Sequence, residues 1–244
     1  MKFRTIIFSA VLLTTACQKE ITGPVNGLAD INVLYAKLDD VSGAIVDSKN
    51  SNNGTGTSVI YGTNGKLNTA ISANNTLIDF GLPPVVQLTN KGSISVWINQ
   101  TTSGSVPLLV SSINYATDRD GYSLGLNTTT PYFELADGEA VNSLTFTSNI
   151  TNGAWYHLAV TWDGTTIRGY VNGVAAGTAL QTLDATHNTG LHLTLCEGYN
   201  GTDYFHFSYN GIMDEFGLFN DALTTTQIAA LYGSGTPLPF SSFN

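Results

Sequence analysis

The sequence has 244 residues, which is enough for one sizeable all-β domain and does not require a second domain. Only 11% of the residues are charged, so water is met mainly by neutral polar side chains and turns, a composition typical of exported β-proteins rather than cytoplasmic helical ones. The formal net charge of −9 would repel phosphate backbones, so we expect no nucleic-acid partner.

The first 17 residues have the parts of a bacterial export signal. Lys2 and Arg4 give a basic start, and residues 6–13 form an apolar run that is too short to span a bilayer as a helix. Residues 14–17, Thr-Thr-Ala-Cys, resemble the lipobox of bacterial lipoproteins, although a Thr stands where that motif usually has Leu. An ordinary signal peptide that ends near a cysteine is the alternative.

The lipobox resemblance implies that cleavage leaves Cys17 as an acylated N-terminus and that the lipid is the only membrane anchor. Residues 18–20, Gln-Lys-Glu, are similar to the short signal that sends some Bacteroidetes-type lipoproteins to the outer face of the outer membrane. We therefore expect an exported protein, lipid-anchored to the outer membrane and exposed at the cell surface. Residues 18–30 are predicted to be a polar tether. If Cys17 is acylated, Cys196 has no disulfide partner within the chain and is predicted to be a small buried or half-buried residue.

Residues 31–240 are predicted to form one domain of about a dozen short strands separated by Gly, Asn and Pro. Residues 92–99 alternate cleanly, which predicts a core strand with Ile94, Val96 and Ile98 on one face. Further strands are predicted at 59–61, 67–71, 77–80, 108–113, 122–126, 132–135, 144–146, 191–196, 204–209 and 211–219.

The stretch from Trp155 to Gly173 has the densest aromatic pattern and two hairpin signals. Asp163-Gly164 and Asn172-Gly173 are dipeptides that two-residue turns with positive φ prefer. Pairing strands about Asp163-Gly164 gives one apolar face and one mixed face, with His157 opposite Tyr170. This is the pattern of half-buried antiparallel strands.

The last predicted elements are a strand and a helix. Residues 211–219 place Asp214 on an otherwise apolar face, where a buried carboxylate needs a partner. Residues 222–232 have an apolar helical stripe, Asn220-Asp221 are predicted to cap the helix, and Gly233 to stop it.

Four of these segments stand in a recognisable order: the strand ending at Trp97-Ile98, the meander from Trp155, the strand Gly-Ile-Met-Asp-Glu-Phe at 211–216, and the helix ending at Tyr232. Together they resemble the laminin-G-like jelly-roll domains of the concanavalin A-like lectin and glucanase superfamily, over residues 31–235. The resemblance implies a sandwich of two curved antiparallel sheets, one convex and one concave. The alternation of side chains independently predicts two packed sheets.

The resemblance also implies a structural Ca²⁺ at the edge of the sandwich. Asp47 and Asp214 match the acidic ligands of the family, and Asn50 and Asn52 are further oxygen donors of the kind that a hard cation prefers. The alternative is that Asp47 organises an Asx-turn and that Asp214 only accepts hydrogen bonds from a loop.

Catalytic residues are not apparent, and we expect no enzyme. Retaining glucanases of the superfamily carry a Glu-x-Asp-x-x-Glu strand, in which two carboxyl groups flank the glycosidic bond. The nearest string here, Glu134-Leu-Ala-Asp137-Gly-Glu139, has the wrong spacing and contains a turn. Asp214 and Glu215 are adjacent and are expected to point to opposite faces of a strand.

Two loops have the composition of a sugar site, which needs an aromatic platform together with groups that bond hydroxyls. Their residues are Tyr115, Asp118 and Asp120 in the first loop, and Tyr199, Asn200, Asp203 and Tyr204 in the second. We therefore predict non-catalytic recognition of a glycan or a cell-surface protein. A structural or adhesive accessory protein without a small ligand is the alternative, and a glycoside hydrolase with unrecognised acids comes third.

Overall fold

The computed structural model describes residues 27–103, 106–115, 119–187, 190–199, 204–205 and 207–243. The predicted acylation site, Cys17, lies outside the described residues, as do the rest of the leader and most of the predicted tether. Within the described ranges no helix is both long and apolar enough to cross a membrane.

The described chain is built from short strands. In chain order the strands are β1 (Asn32–Ala36), β2 (Thr55–Thr57), β3 (Ile60–Asn64), β4 (Thr69–Ala73), β5 (Leu77–Asp79), β6 (Lys91–Gln100), β7 (Leu108–Ile113), β8 (Asp120–Asn127), β9 (Thr130–Asp137), β10 (Val141–Thr145), β11 (Trp155–Asp163), β12 (Thr166–Val171), β13 (Val174–Leu180), β14 (Thr194–Leu195), β15 (Gly198–Tyr199), β16 (Tyr204–Phe205) and β17 (Gly211–Phe219). The helices are α1 (Leu28–Ile31) and α2 (Thr225–Tyr232), with short 3-10 turns at Pro84–Val86, Gly233–Gly235 and Phe240–Ser242.

These strands form two antiparallel sheets and one small hairpin. The larger sheet has the order β13-β12-β11-β6-β17-β4-β3, with β1 also paired to β17. The smaller sheet has the order β10-β9-β8-β7-β14-β5-β2, and β15 pairs with β16. Strands distant in the sequence, such as β6 and β17, are neighbours in the larger sheet. The predicted all-β jelly-roll sandwich is confirmed.

The hydrophobic core lies between the two sheets, because each strand turns alternate side chains toward it. The predicted inward face of β6, with Ile94, Val96 and Ile98, is fully buried. Trp162 of β11 stacks on Phe133 of β9, with ring centroids 5.2 Å apart, and so joins the larger sheet to the smaller one. Cys196 is also buried in this core, as predicted.

A second, smaller cluster covers the outer face of the larger sheet. Tyr35 of β1 contacts Phe240 and Phe243 near the C-terminus, with ring centroids 4.9 Å and 5.0 Å away. Leu28 of α1 is fully buried in the same cluster. Residues 28–30 of the predicted tether 18–30 therefore belong to helix α1 and to the folded domain, which begins earlier than the predicted residue 31.

The predicted meander from Trp155 to Gly173 is present, but its first turn lies one residue later than predicted. β11 ends at Asp163 and β12 begins at Thr166, so the turn residues are Gly164-Thr165, one position later than predicted. The Asp163 carboxylate fixes this turn, because it accepts hydrogen bonds from the backbone N–H groups of Thr165 and Thr166. Each β11 residue is therefore paired with the β12 residue two positions later than predicted. Because side chains alternate with a period of two, the same side chains still lie on the same face.

This shift changes the partner of His157. Tyr170 lies opposite Ala159, and His157 lies opposite Trp97 of β6. The predicted His157–Tyr170 pair was therefore wrong.

Two further predictions were wrong at the ends of elements. Helix α2 begins three residues later than expected, because Thr224 is the N-cap and forms a capping box with Gln227. Of the predicted aromatic strand 204–209, Tyr204–Phe205 is a strand that pairs with β15, whereas the described residues 207–209 are not part of a strand. Beyond it Tyr209 is buried in the core, whereas Phe207 is 41% exposed.

His157 is fully buried on β11, with Nε2 2.9 Å from the Ser95 hydroxyl oxygen and its ring 5.4 Å from that of Trp97. Burial lowers the pKa of His157 to about 3, so the imidazole stays neutral at physiological pH.

This burial predicts a loss of stability in acid. An unfolded histidine titrates near pH 6.5, so below that pH the unfolded state binds more protons than the folded state. The free energy of unfolding should then fall by up to about 1.4 kcal/mol per pH unit as the pH drops toward 3. Urea unfolding of wild type and His157→Gln at pH 7, 5 and 4 measures this. The difference in free energy of unfolding between wild type and His157→Gln should become smaller as the pH falls. A difference that is the same at all three pH values would contradict this explanation.

Candidate functional site

A row of polar residues crosses the outer face of the smaller sheet. They are in-register neighbours on successive strands from β10 to β2: Ser143, Glu134, Ser123, Ser111, Thr194, Asp79 and Thr55. The residues that flank Glu134 on β9, Phe133 and Leu135, lie in the core. Because side chains alternate along a strand, Glu134 and its row point away from the core.

The Glu134 end of this row opens into a cavity of about 420 Å³. The residues that line it come from β8, β9, β10 and the neighbouring loops: Val106, Tyr115, Arg119, Asn127, Tyr132, Glu134, Ser143, Thr145 and Phe207. We call this space the β9 cavity. It combines three aromatic side chains with a carboxylate, a guanidinium, an amide and hydroxyl groups.

The spacing on β9 positions two of these side chains. Tyr132 and Glu134 are two residues apart, so both project from the outer face. Gly125 of β8 lies opposite Tyr132. A Cβ atom at Gly125 would be only 2.7 Å from the Tyr132 ring, so glycine is what allows this ring to lie across the neighbouring strand.

Glu134 is held on both sides. The Tyr115 hydroxyl donates a hydrogen bond to Glu134 Oε2 at 2.8 Å and also lies 2.7 Å from the Ser123 hydroxyl oxygen. Arg119 Nη1 donates to Glu134 Oε1 at 3.3 Å. The Glu134 side chain is 15% exposed and that of Arg119 is 49% exposed. A pair this solvated adds little to stability, but it compensates the carboxylate charge.

The aromatic walls of the β9 cavity are ordered by ring contacts. Phe207 meets Tyr115 edge to face, with centroids 6.1 Å apart, and the Arg119 guanidinium lies 5.3 Å from the Tyr115 centroid. Burial raises the pKa of Tyr132 to about 12 and that of Tyr115 well above its ordinary value. Both phenols therefore stay protonated and remain hydrogen-bond donors at physiological pH.

The structure distributes the predicted sugar-binding residues over different places. Tyr115 lines the β9 cavity. Asp120 is buried at the start of β8, opposite Asp137, and does not line it. Tyr199 stacks on His192 at 4.3 Å, and His192 Nδ1 is 2.9 Å from an Asp79 oxygen. Asp118, Asn200 and Asp203 lie outside the described residues, and Tyr204 is described only as part of β16.

Most of the β9 cavity was missed by sequence reasoning, which considered Glu134 only as a catalytic acid. The available signal was the alternation on β9, where Tyr132 and Glu134 share the face opposite to Phe133 and Leu135. Phe207 was missed because it was assigned to a continuous strand.

Both side-chain oxygens of the predicted calcium ligand Asp47 are occupied by backbone N–H groups of its own loop and of β1. Its Oδ1 accepts hydrogen bonds from the backbone N–H groups of Tyr35 and Lys49, and its Oδ2 from those of Asn50 and Asn52. These N–H groups occupy the positions that a cation would need. The arrangement fits the alternative interpretation, in which Asp47 organises the turn.

Asp214 differs from Asp47, because one of its two carboxylate oxygens has no hydrogen-bond partner. Its Oδ2 accepts hydrogen bonds from the backbone N–H groups of Lys66 and Leu67, at 2.7 Å and 2.9 Å, whereas its buried Oδ1 has no partner. Burial, reinforced by the nearby Asp39 charge, raises the pKa of Asp214 to about 7.

The four predicted ligands therefore fit Ca²⁺ only in part. Within the described ranges no group of three or more His, Cys, Asp or Glu side chains could hold a metal ion.

Strand β17 has a bulge next to Asp214. The pairing of β17 with β6 skips between Asp214 and Gly217, and Glu215 has a positive φ of 49°. This bulge breaks the simple alternation that was expected of Asp214 and Glu215.

Comparisons with solved structures agree with this architecture. One similar structure is domain 4 of AbnA, a GH43 extracellular arabinanase from Geobacillus stearothermophilus, in complex with arabinotriose. It is 20% identical, with a TM-score of 0.64, over 83% of this chain and 98% of that chain. A search of the curated proteins found no significant match.

Two toxin domains are similar as well. The botulinum neurotoxin serotype G binding domain is 16% identical, with a TM-score of 0.63, over 82% of this chain and 50% of that one. The serotype D ligand-binding domain, in complex with N-acetylneuraminic acid, is 17% identical, with a TM-score of 0.60, over 86% of this chain and 55% of that one. This chain thus spans about half of each toxin chain. Likeness at these identities shows the fold alone.

A family model matches the sequence directly. The Laminin_G_3 family model, described as concanavalin A-like lectin/glucanases superfamily, matches residues 72–229. That range runs from β4 to α2 and includes every described strand that lines the β9 cavity. With its two-sheet jelly roll, this chain belongs to the concanavalin A-like lectin/glucanase superfamily.

Proposed function

We propose that this protein is a non-catalytic carbohydrate-recognition protein that binds a glycan in the β9 cavity. The observation that carries the proposal is the convergence of aromatic faces with paired polar groups in one open space. Tyr115, Tyr132 and Phe207 supply the faces, and Glu134 and Arg119 supply an acceptor and a donor.

This set of groups suits the two sides of a sugar. The C–H face of a sugar ring is apolar and packs on aromatic rings, whereas its hydroxyl groups need donors and acceptors at fixed places. The volume of about 420 Å³ is within the range of about 300–1,000 Å³ that small-ligand sites have. A polar sheet face alone would offer the hydroxyl partners without the platform.

The same geometry favours binding over hydrolysis. Glycoside hydrolysis by the usual mechanisms needs two carboxyl groups that flank the scissile bond. Among the described lining residues Glu134 is the one carboxylic acid, and Tyr115 and Arg119 already bond it. The arabinotriose complex of the similar arabinanase domain further supports carbohydrate as the ligand class.

We further propose that the protein works at the cell surface as a lipoprotein, anchored to the outer membrane through Cys17. The leader in residues 1–17 and the Gln-Lys-Glu sequence that follows it support this location. A surface glycan, free or carried by a cell-surface protein, would then be the partner.

The lining of the β9 cavity predicts which substitutions weaken glycan binding. Tyr132→Ala and Phe207→Ala each remove a platform ring, so each should weaken binding at least about fivefold. Leu180→Ala, at an exposed position on β13 of the other sheet, is the matched control and should bind like wild type. Affinity electrophoresis of protein lacking residues 1–17, against arabinan, galactan, xylan, mannan and β-glucan, measures the effect.

Three results would contradict this proposal in different ways. Unchanged binding in both aromatic variants would move the site away from the β9 cavity. Failure of the wild type to bind any glycan in a broad panel would favour a structural accessory protein. Release of reducing sugar would show an enzyme.

We also propose that a structural Ca²⁺ binds at Asp214 Oδ1, the buried oxygen without a partner, with backbone carbonyl groups and water as its remaining oxygen ligands. At a hundredfold excess over its Kd such an ion adds about 2.7 kcal/mol to the free energy of unfolding. Chelator should therefore lower the Tm of calcium-loaded wild type by roughly 5–10 °C. The Tm of Asp214→Asn should be the same with and without chelator. Asp47→Asn should lower the Tm but keep the chelator effect. No chelator effect in loaded wild type would overturn this proposal.

A further inference from the structure

The described lining of the β9 cavity is electrically balanced, although the chain as a whole is strongly acidic. The chain has 18 acidic and 9 basic residues. In the described lining of the cavity, however, there is one acid, Glu134, and one base, Arg119, and they are bonded to each other at 3.3 Å. Any ligand that enters therefore meets a carboxylate and a guanidinium that already neutralise each other.

We infer that the β9 cavity selects neutral polyhydroxyl sugars over acidic sugars, and that Glu134 sets this preference. The inference rests on the proposed function and assigns a ligand class to the same site. It gives Glu134 a role as a specificity-determining acceptor rather than as a catalytic acid.

Glu134 is suited to accept hydrogen bonds from hydroxyl groups. A carboxylate has about four lone-pair positions on its two oxygens. Among the described residues one donor is bound at each oxygen, Tyr115 at Oε2 and Arg119 at Oε1, which leaves each oxygen a further lone-pair position for a sugar hydroxyl. Two neighbouring sugar hydroxyls can donate to the two oxygens together, and hydrogen bonds to a charged acceptor are the stronger kind.

Tyr115 keeps this acceptor in place. Its hydroxyl lies between Glu134 and Ser123, at 2.8 Å and 2.7 Å. The Tyr115 ring in turn contacts both Arg119 and Phe207. Glu134 is thus fixed by its surroundings before a ligand arrives, which reduces the ordering cost of binding.

An acidic sugar would meet the wrong charge. Its carboxylate would bind Arg119 only by competing with Glu134, and it would then stand beside the Glu134 carboxylate as a like charge in a partly enclosed space. The acidic chain as a whole adds long-range repulsion. A neutral sugar neither competes with Glu134 for Arg119 nor is repelled by the negative charges.

Glu134→Gln tests this with little change of shape. The amide keeps an oxygen for Tyr115 but removes the charged acceptor, so binding to neutral polysaccharide should weaken about tenfold or more. It also leaves Arg119 without its counter-charge. Binding to an acidic polymer should then appear in this variant, and it should weaken at high salt because it is electrostatic. The double variant Arg119→Gln/Glu134→Gln should lose that new binding.

The experiment uses linear arabinan, or the neutral polysaccharide that binds best in the panel, and polygalacturonate as the acidic polymer. Wild type, Glu134→Gln and the double variant are compared by affinity electrophoresis at low and high salt, with thermal melts to confirm that each is folded. Wild type should bind the neutral polymer, prefer it over polygalacturonate and change little with salt.

Each other outcome points to a different failure. Wild-type preference for polygalacturonate, or neutral binding by Glu134→Gln at the wild-type level, overturns this inference and leaves glycan recognition standing. No binding of any polysaccharide by wild type overturns the proposed function, and this inference with it.

Discussion

The alternation of side chains along β9 is the constraint on which the rest of the structure depends. Phe133 and Leu135 must point into the core, where Phe133 stacks on Trp162 of the opposite sheet. Tyr132 and Glu134 are thereby forced onto the outer face. The packing that joins the two sheets thus also aims the two central side chains of the β9 cavity.

The polar network of the cavity depends on neighbours that the fold supplies. Ser123 lies opposite Glu134 on β8, and it anchors the Tyr115 hydroxyl that bonds the carboxylate. Arg119, immediately before β8, closes the other side of Glu134. A charged group on a sheet face is usually satisfied by water. Here it is satisfied by side chains while the cavity stays open.

The sequence predicted the parts of the fold that depend on local pattern. Alternation identified the core face of β6, and the Asn172-Gly173 turn is found with both residues at positive φ. The cavity could not be predicted in the same way, because it requires Phe207 to lie beside Tyr115 and β9, from which Phe207 is far apart in sequence. Thr224 was overlooked as the α2 cap because Asn220-Asp221 is an equally good signal.

The central claim is that glycan is bound on the outer face of the smaller sheet, at the β9 cavity. An NMR titration of the protein with neutral oligosaccharide, such as arabinotriose, tests this most directly. The account predicts that shifted backbone amides cluster on β8, β9 and β10 and include Ser123, Glu134 and Ser143. Shifts confined to the larger sheet, or to the contacts of Tyr199 with His192, would contradict it.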